Sequence, residues 1–211
     1  MLKKIAMVLF LSFSYGHCGS SSAKKIMPVE PVSACLMNRY SGRTYDSSKS
    51  ITQNQIQTLI AAAQSAPSCY NDQPWNFIFC NKETDPEAYQ KALGCLVEFN
   101  QNWAKNAPLL VIAVSGNKFH HNQNPNRWGD YDTGAAAMSL CIQATAMGLM
   151  AHQMGGFDQE KISKEFQIPQ EFNPIAVIAV GYEEKGKEDH SKRSERLPAK
   201  ENFFKGKWGT P

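Results

Sequence analysis

Residues 132–150 constrain the fold of this chain more than any other stretch, because they form a helix-length run without a polar face. A helix that is apolar on every side is buried on every side. In a chain of 211 residues, such a helix is either a central core helix or one that packs against a second subunit, and its many alanines favour close approach of another helix. The apolar side chains are Ala135, Ala136, Ala137, Met138, Leu140, Cys141, Ala144, Ala146, Met147, Leu149 and Met150.

The other hydrophobic patterns predict helices and strands in mixed order. Apolar residues at helical spacing indicate helices, one of which begins with Asp85 as N-cap and Pro86 in its first turn. Short, continuous apolar runs indicate strands. Since the two kinds of element do not alternate regularly, we predict an α+β fold. The predicted segments are helices at 52–64, 85–100 and just after Asp158, strands at 75–80, 109–114 and 175–180, and a long polar loop at 115–131.

The first 23 residues have the layout of a secretory signal peptide. Lys3 and Lys4 precede an apolar run at 5–13, and a stretch of small residues follows at 19–23. Cleavage after Ala23 or after Gly16 fits the small residues at those positions. We therefore predict a signal at 1–23, a single mature domain at 24–211 and export to a periplasmic or extracellular location.

An alternative start of translation would change this location. If synthesis begins at Met27 or Met37, the extension is never made and the protein stays in the cytoplasm. The sequence alone leaves both possibilities open.

Charge and hydropathy limit the partners of the mature chain. The formal net charge is +3, and removal of Lys3 and Lys4 with the signal would lower it to +1, with no run of lysine and arginine elsewhere. We therefore expect no nucleic-acid partner. The apolar stretch at 135–151 contains Ser139 and Gln143, so we also expect no stable membrane span in the mature chain.

The common catalytic motifs are absent from the sequence. It contains no Walker loop, no complete dinucleotide fingerprint, no Gly-x-Ser-x-Gly elbow and no HExxH pair. Its carboxylates are scattered, and His120 and His121 lie in the polar loop. A chain of this kind can take its chemistry from a cofactor.

A phosphate group is one ligand that the sequence could hold. In the segment Arg39-Tyr-Ser-Gly-Arg43, two guanidinium groups four residues apart flank a serine hydroxyl. Such groups can converge on one phosphate dianion, for which arginine is well suited. The alternative is a pair of surface arginines at the end of a helix.

The segment SAPSCYNDQPWNF at 65–77 is rich in residues that favour turns, namely proline, asparagine, aspartate and serine. A helix stop followed by the start of a strand explains Pro67 and Pro74. It does not explain Asn71 and Gln73, so the segment is a second candidate for ligand contact.

Five ordered blocks of residues resemble the FMN-dependent nitroreductase family, and together they cover roughly residues 33–211. Each block is short, but their common order and spacing are specific. The blocks are Arg39-x-Ser41-x-Arg43; Ala66-Pro67-Ser68 with Asn71, Gln73, Pro74 and Trp75; Asp132-x-Gly134-Ala135-Ala136; Gly155-Gly156-Phe157-Asp158; and Arg196-Leu197-Pro198 with Trp208-Gly209.

The resemblance implies a nitroreductase-like fold, with a central mixed or antiparallel sheet flanked by helices. It also implies an intertwined homodimer with two FMN sites at the subunit interface, which would bury the apolar helix. The implied phosphate ligands are Arg39, Ser41, Arg43 and Arg196. The implied flavin contacts are Pro67, Ser68 and Asn71 from the other subunit, Gln73, and Asn100 at the pyrimidine edge. The backbone of Gly155 and Gly156 is implied at N5 and O4, where glycine permits close approach and eases positive φ.

The resemblance further implies a ping-pong reaction with NADH or NADPH as electron donor. Hydride passes to FMN N5, the nicotinamide leaves, and a nitroaromatic, a quinone or a similar small aromatic acceptor takes its place. No residue acts as nucleophile, and the 115–131 loop with Phe119, Trp128 and Tyr131 could gate the site. The alternatives are a flavin-binding or storage protein without turnover, and a reductive dehalogenase or flavin-modifying relative of the same fold.

Three positions depart from the family pattern. Gly155 stands where family members often carry a glutamate, and Trp103 stands where some carry a lysine near flavin N1. Ser194 stands where some carry a second cationic phosphate ligand. These departures concern how the flavin would be held and how its reduced form would be stabilised.

Overall fold

The computed structural model describes residues 31–187 and 194–210 of the chain. The signal predicted at 1–23, both of its cleavage positions and Met27 lie outside the described residues. Residues 31–187 belong to one compact unit and residues 194–210 to another. Within the described residues, no helix has the length and apolar character needed to span a membrane.

A four-stranded antiparallel sheet forms the centre of the larger unit, as the predicted α+β fold requires. The strand order is β1-β2-β4-β3, so β2 and β4 are central and β1 and β3 are the edges. The three strands predicted from apolar runs are confirmed, while β3 was not predicted. The strands are β1 (Trp75–Asn81), β2 (Leu109–Gly116), β3 (Met150–Met154) and β4 (Phe172–Gly181).

Helices cover both faces of the sheet, and strand β2 shows how the sequence achieves this. Its alternate residues enter two different cores, with Leu110 and Ile112 on one face and Leu109 and Val111 on the other. A strand buried on both faces reads as a continuous apolar run. The helices are α1 (Ala34–Asn38), α2 (Gln53–Gln64), α3 (Pro86–Gly94), α4 (Glu98–Ala104), α5 (Gly129–Ala146) and α6 (Gln159–Glu165).

The helix predicted at 85–100 is in fact two helices. Asp85 caps α3 by accepting a hydrogen bond from the Ala88 amide, as predicted, but the helix ends at Gly94 and α4 begins at Glu98. The connecting residues pair with a distant segment: the Val97 amide donates to the Gly156 carbonyl at 3.0 Å, and the Asp158 amide donates to the Cys95 carbonyl at 2.8 Å. These tertiary bonds replace the helical bonds that the apolar spacing had predicted.

The helix predicted at 132–150 begins three residues earlier and ends four residues earlier. Helix α5 spans Gly129–Ala146, and Gly148 has φ +71°, the left-handed conformation that ends many helices. The Leu149 amide then donates to the Ala144 carbonyl at 2.8 Å. Met150 therefore belongs to strand β3 rather than to the helix.

Burial of α5 in the single chain is one-sided, which excludes a helix buried entirely within one subunit and leaves packing against a second subunit as a prediction. Ala136, Leu140 and Ala144 are buried against the sheet and α2. The side of α5 away from the sheet carries a stripe, which we call the outer α5 stripe, of exposed and half-buried residues at helical spacing, of which Ala135 and Met138 also contact the edge of the core. It consists of Tyr131, Gly134, Ala135, Met138 and Ile142.

Candidate functional site

The first predicted ligand set lies in the loop that follows α1. Arg39 is the C-cap of this helix, and its guanidinium donates to the Ser41 hydroxyl at 3.4 Å. Ser41 and Arg43 are exposed, and Arg39 is half-buried. We call residues 39–43 the clamp loop. Within residues 31–187, the ion pairs place no carboxylate on Arg39 or Arg43, so the loop carries positive charge without a partner there.

The clamp loop rests closely on the edge strand β3. A Cβ atom at Gly42 would lie 2.2 Å from the Met150 sulfur, so only glycine fits without displacing that side chain. The Gly42 carbonyl accepts a hydrogen bond from His152 Nδ1 at 2.9 Å. These contacts fix the backbone between the two arginines.

Arg43 connects the clamp loop to the predicted flavin contacts at Asn100 and Gly156. Its guanidinium lies 5.0 Å from the centre of the Phe99 ring, a cation–π distance. The neighbouring Asn100 donates its side-chain amide to the Gly156 carbonyl at 3.1 Å. A chain of contacts thus links Arg43, through Phe99 and Asn100, to Gly156.

Gly155 and Gly156 have different surroundings. A Cβ atom at Gly156 would lie 2.8 Å from Asn100 Nδ2 and 3.0 Å from Val97 Cγ2, whereas one at Gly155 would meet nothing within 4 Å. Neither glycine has a positive φ, which corrects the prediction that these positions need glycine for that reason. Close packing against Asn100 requires a glycine at 156, and open space lies in front of Gly155.

The turn at residues 68–73 forms a second group of predicted ligands. Tyr70, Asn71 and Gln73 all have φ between 50° and 55°, a conformation that asparagine tolerates better than most residues. The Ser68 hydroxyl accepts from the Gln73 amide at 3.0 Å, and the Gln73 side chain donates to the Asn71 carbonyl at 3.2 Å. Local turn geometry therefore gives Asn71 and Gln73 a structural role. Pro67, Asn71 and Gln73 are exposed.

Other bonds tie this turn to the 117–128 loop and to α5 rather than to the clamp loop. Asp132, in the first turn of α5, accepts from the Cys69 amide at 2.9 Å. Asp72, whose side chain is 2% exposed, accepts from the His120 amide at 2.9 Å and lies 3.8 Å from His121 Nδ1. The turn and the clamp loop are thus two separate groups within this chain.

Sequence reasoning missed Asp72 and His152, which hold the two groups in place. Asp72 lies between Asn71 and Gln73 and was not singled out, although an acidic residue in a turn is a common backbone acceptor. His152 is the single histidine of the edge strand β3, where it stands beside Gln153. No pattern in the sequence marks it.

Arg196 lies in the unit that contains residues 194–210 and is described by itself. Its guanidinium donates to the Ser194 carbonyl at 2.9 Å. In the same segment, the rings of Phe204 and Trp208 lie 4.9 Å apart. The predicted role of Arg196 as a phosphate ligand stays a prediction.

The Arg39 and Arg43 charges of the clamp loop affect the pKa of the half-buried His152 behind it. Burial lowers the pKa of His152, and the Arg43 and Arg39 charges lower it further, while its bond to Gly42 opposes the shift. Trp103 packs on His152 with a centroid distance of 4.6 Å. Its indole Nε1–H is buried and has no hydrogen-bond partner in the described part of the chain.

These features fit a ligand that combines a phosphate with a planar, acceptor-rich ring. Two guanidiniums that have no carboxylate partner within residues 31–187 suit a phosphate dianion. The buried Trp103 donor lies behind the same loop, and the open space at Gly155 leaves room for a group to approach the backbone. FMN has both a phosphate and such a ring.

Comparison with known proteins identifies the family. The profile described as the nitroreductase family matches residues 36–182. The chain is 25% identical over 197 residues to the CLA biosynthesis enone reductase of Lactiplantibacillus plantarum, covering 76% of this chain and 89% of that protein. It is 28% identical over 102 residues to the major NAD(P)H-flavin oxidoreductase of Aliivibrio fischeri, covering 48% of this chain and 44% of that protein.

A solved structure gives the same result over a longer span. A crystal structure described as an oxidoreductase containing FMN superposes with a TM-score of 0.78 at 30% identity, covering 91% of this chain and all of that one. The chain belongs to the nitroreductase family. The predicted family and fold class are thereby confirmed.

We expect Gly156 and Gly155 to respond differently to the same substitution. Gly156→Ala should lower the free energy of unfolding by about 1–3 kcal/mol, because its methyl group would collide with Asn100 and Val97. Gly155→Ala is the matched control and should change stability by less than about 0.5 kcal/mol. Urea unfolding followed by fluorescence measures both. Equal effects of the two substitutions would contradict the described packing.

Proposed function

We propose that this protein is an FMN-dependent NAD(P)H oxidoreductase that reduces small aromatic acceptors such as nitroaromatics or quinones. The observation that carries the proposal is the chain of contacts that links the clamp loop, through Phe99 and Asn100, to Gly156. It joins two guanidiniums that have no carboxylate partner within residues 31–187 to a closely packed glycine backbone. The FMN and NAD(P)H in the descriptions of similar proteins support the same choice.

The chain's own residues would bind and orient the cofactor. Arg39, Ser41 and Arg43 would hold the phosphate. Asn100 and the Gly155–Gly156 backbone would face the ring, with Gly156 fixed by its bond to Asn100. Bound FMN would supply the chemistry, by accepting hydride from the nicotinamide and passing it to the acceptor.

A homodimer is part of this proposal. The outer α5 stripe leaves Met138 and Ile142 half-buried and Tyr131 73% exposed in the single chain. An apolar stripe of this kind is typical of a subunit interface. A partner on this stripe would bring its Pro67, Ser68, Asn71 and Gln73 turn to the flavin, which agrees with the separation of turn and clamp loop within one chain.

The 117–128 loop is the proposed gate of the acceptor site. Phe119 contacts Tyr70 of the turn at a centroid distance of 5.8 Å, and Trp128 contacts Tyr131 at 6.0 Å. Aromatic side chains in this loop would admit flat acceptors and exclude water. The relationship to an enone reductase indicates that electron-poor alkenes belong in an acceptor panel beside nitroarenes and quinones.

Removal of one clamp arginine should weaken cofactor binding. We expect Arg39→Ala to reduce FMN affinity about tenfold or more, since a hydrogen bond to a charged group contributes about 1.5–3 kcal/mol. Lys164→Ala is the matched control, because Lys164 is an exposed cation in the last turn of α6, outside the proposed phosphate and acceptor sites. Fluorescence titration with FMN measures both affinities. An unchanged affinity in Arg39→Ala would argue against the proposed phosphate site.

A charge on the outer α5 stripe should prevent dimer formation. We expect Ile142→Glu to give a monomer, because burial of an unpaired carboxylate in an apolar interface is costly. Gln57→Glu, on the exposed side of α2, adds the same charge elsewhere and should leave the dimer intact. Light scattering after size-exclusion chromatography gives the masses. A dimeric Ile142→Glu variant would exclude this stripe as the interface.

A further inference from the structure

The His152 side chain lies on the face of strand β3 that packs against the core and the clamp loop. Alternation along the strand places Met150, His152 and Met154 on one face, where both methionines join the core that packs with Trp103. Ala151 and Gln153 face the other core, where Gln153 donates to the Cys141 sulfur at 3.4 Å. His152 thus belongs to the clamp-loop side of the strand.

Two aromatic side chains, Trp103 and Tyr45, support the His152 ring. Its ring lies on Trp103, which in turn stacks on Tyr45 with a centroid distance of 6.1 Å. The Tyr45 hydroxyl donates to the Ala179 carbonyl at 2.9 Å, and Ala179 is the residue of β4 that pairs with His152. The imidazole is therefore held between the sheet and a buried aromatic stack.

The hydrogen bond to the clamp loop defines which ring nitrogen carries a proton. The Gly42 carbonyl can only accept, so His152 Nδ1 must donate across the 2.9 Å separation. Nε2 is then the atom that gains a proton when the ring becomes charged. A single histidine can hold the backbone of the clamp loop in both protonation states.

The titratable groups near His152 are two arginines, a tyrosine and a cysteine. The Arg39 and Arg43 guanidiniums of the clamp loop act on it directly. Burial raises the pKa of Tyr45 and of Cys141, so these neighbouring groups are neutral near pH 7. The two arginines are thus the charges that oppose protonation of the ring, together with its burial.

We propose that His152 positions the clamp loop through Gly42 and takes up a proton when a phosphate monoester binds to Arg39 and Arg43. The inference rests on the proposed FMN site, whose phosphate is such a group. A phosphate dianion at the loop would offset the two positive charges that disfavour the imidazolium. Phosphate binding and protonation of His152 would then favour each other, since coupling between two binding events is reciprocal.

The sign of the pH effect follows from this coupling. The His152 pKa is higher with phosphate bound than without it, so its contribution to binding is full below the pKa of the free protein. The contribution is lost as the pH rises through the pKa of the complex. His152 therefore strengthens phosphate binding on the acidic side, against the weakening caused by protonation of the phosphate itself.

Proton NMR of the full chain tests the coupling directly. The sequence has five histidines, at 17, 120, 121, 152 and 190, and the resonance missing in His152→Asn identifies the ring of interest. Its titration is recorded without phosphate, with saturating inorganic phosphate and with FMN. We expect the midpoint to rise by about one pH unit with either ligand, the shift that a nearby opposite charge produces.

Two variants separate the positioning role from the protonation. In His152→Asn the side-chain amide can still donate to Gly42 but cannot titrate, so FMN affinity at pH 8 should stay within about twofold of the unmodified protein. In His152→Leu the donor is lost, and affinity should fall about fivefold, the effect of one hydrogen bond. As the pH falls, the affinity of the unmodified protein relative to His152→Asn should rise by up to about tenfold.

The outcomes distinguish this inference from the proposed function. If FMN binds and the His152 midpoint does not move, the coupling is wrong and the proposed cofactor stands. If inorganic phosphate raises the midpoint but FMN does not bind, the coupling stands and the cofactor is wrong. A midpoint that neither ligand moves, in a protein that binds no FMN, overturns both. Equal FMN affinity in His152→Leu and His152→Asn would remove the positioning role.

Discussion

Helix α5 packs closely on the sheet, and both groups of candidate site residues take their positions from elements that contact it. Ala136 and Ala144 are buried there, and small side chains allow the helix to approach the strands. The first turn of the helix supplies Asp132 to the turn at residues 68–73. Further along, Cys141 accepts a hydrogen bond from Gln153 of β3, the strand on which the clamp loop rests. Displacement of the helix would therefore disturb both groups.

The clamp loop combines unpaired charge with a rigid apolar support. Gly42 allows the loop to lie against Met150, and His152 bonds to the carbonyl of the same glycine. Arg39 and Arg43 flank this glycine, and no carboxylate within residues 31–187 pairs with either of them. In the proposed function, these two charges and the fixed backbone between them would suit a phosphate. In the proposed coupling, the same two charges would act on His152.

Local signals in the sequence predicted the elements that local interactions determine. Asp85 and Asp158 cap their helices as predicted, and the buried runs at β2 and β4 are strands. The break between α3 and α4 and the strand β3 depend on pairing with distant residues, which periodicity does not reveal. In the site, the spacing of Arg39 and Arg43 and the family resemblance indicated a phosphate group. Asp72 and His152 act through tertiary contacts, so no motif marked them.

An absorbance spectrum of the purified protein, taken before and after addition of NADH and of NADPH, shows whether the protein binds FMN and whether a nicotinamide reduces it. We expect a dimer with the yellow absorbance of bound FMN, which at least one nicotinamide bleaches and an added quinone or nitroarene restores. Bound FMN that neither nicotinamide bleaches would indicate a flavin-binding protein without turnover. A colourless monomer that takes up no FMN from solution would contradict both the cofactor and the shared site.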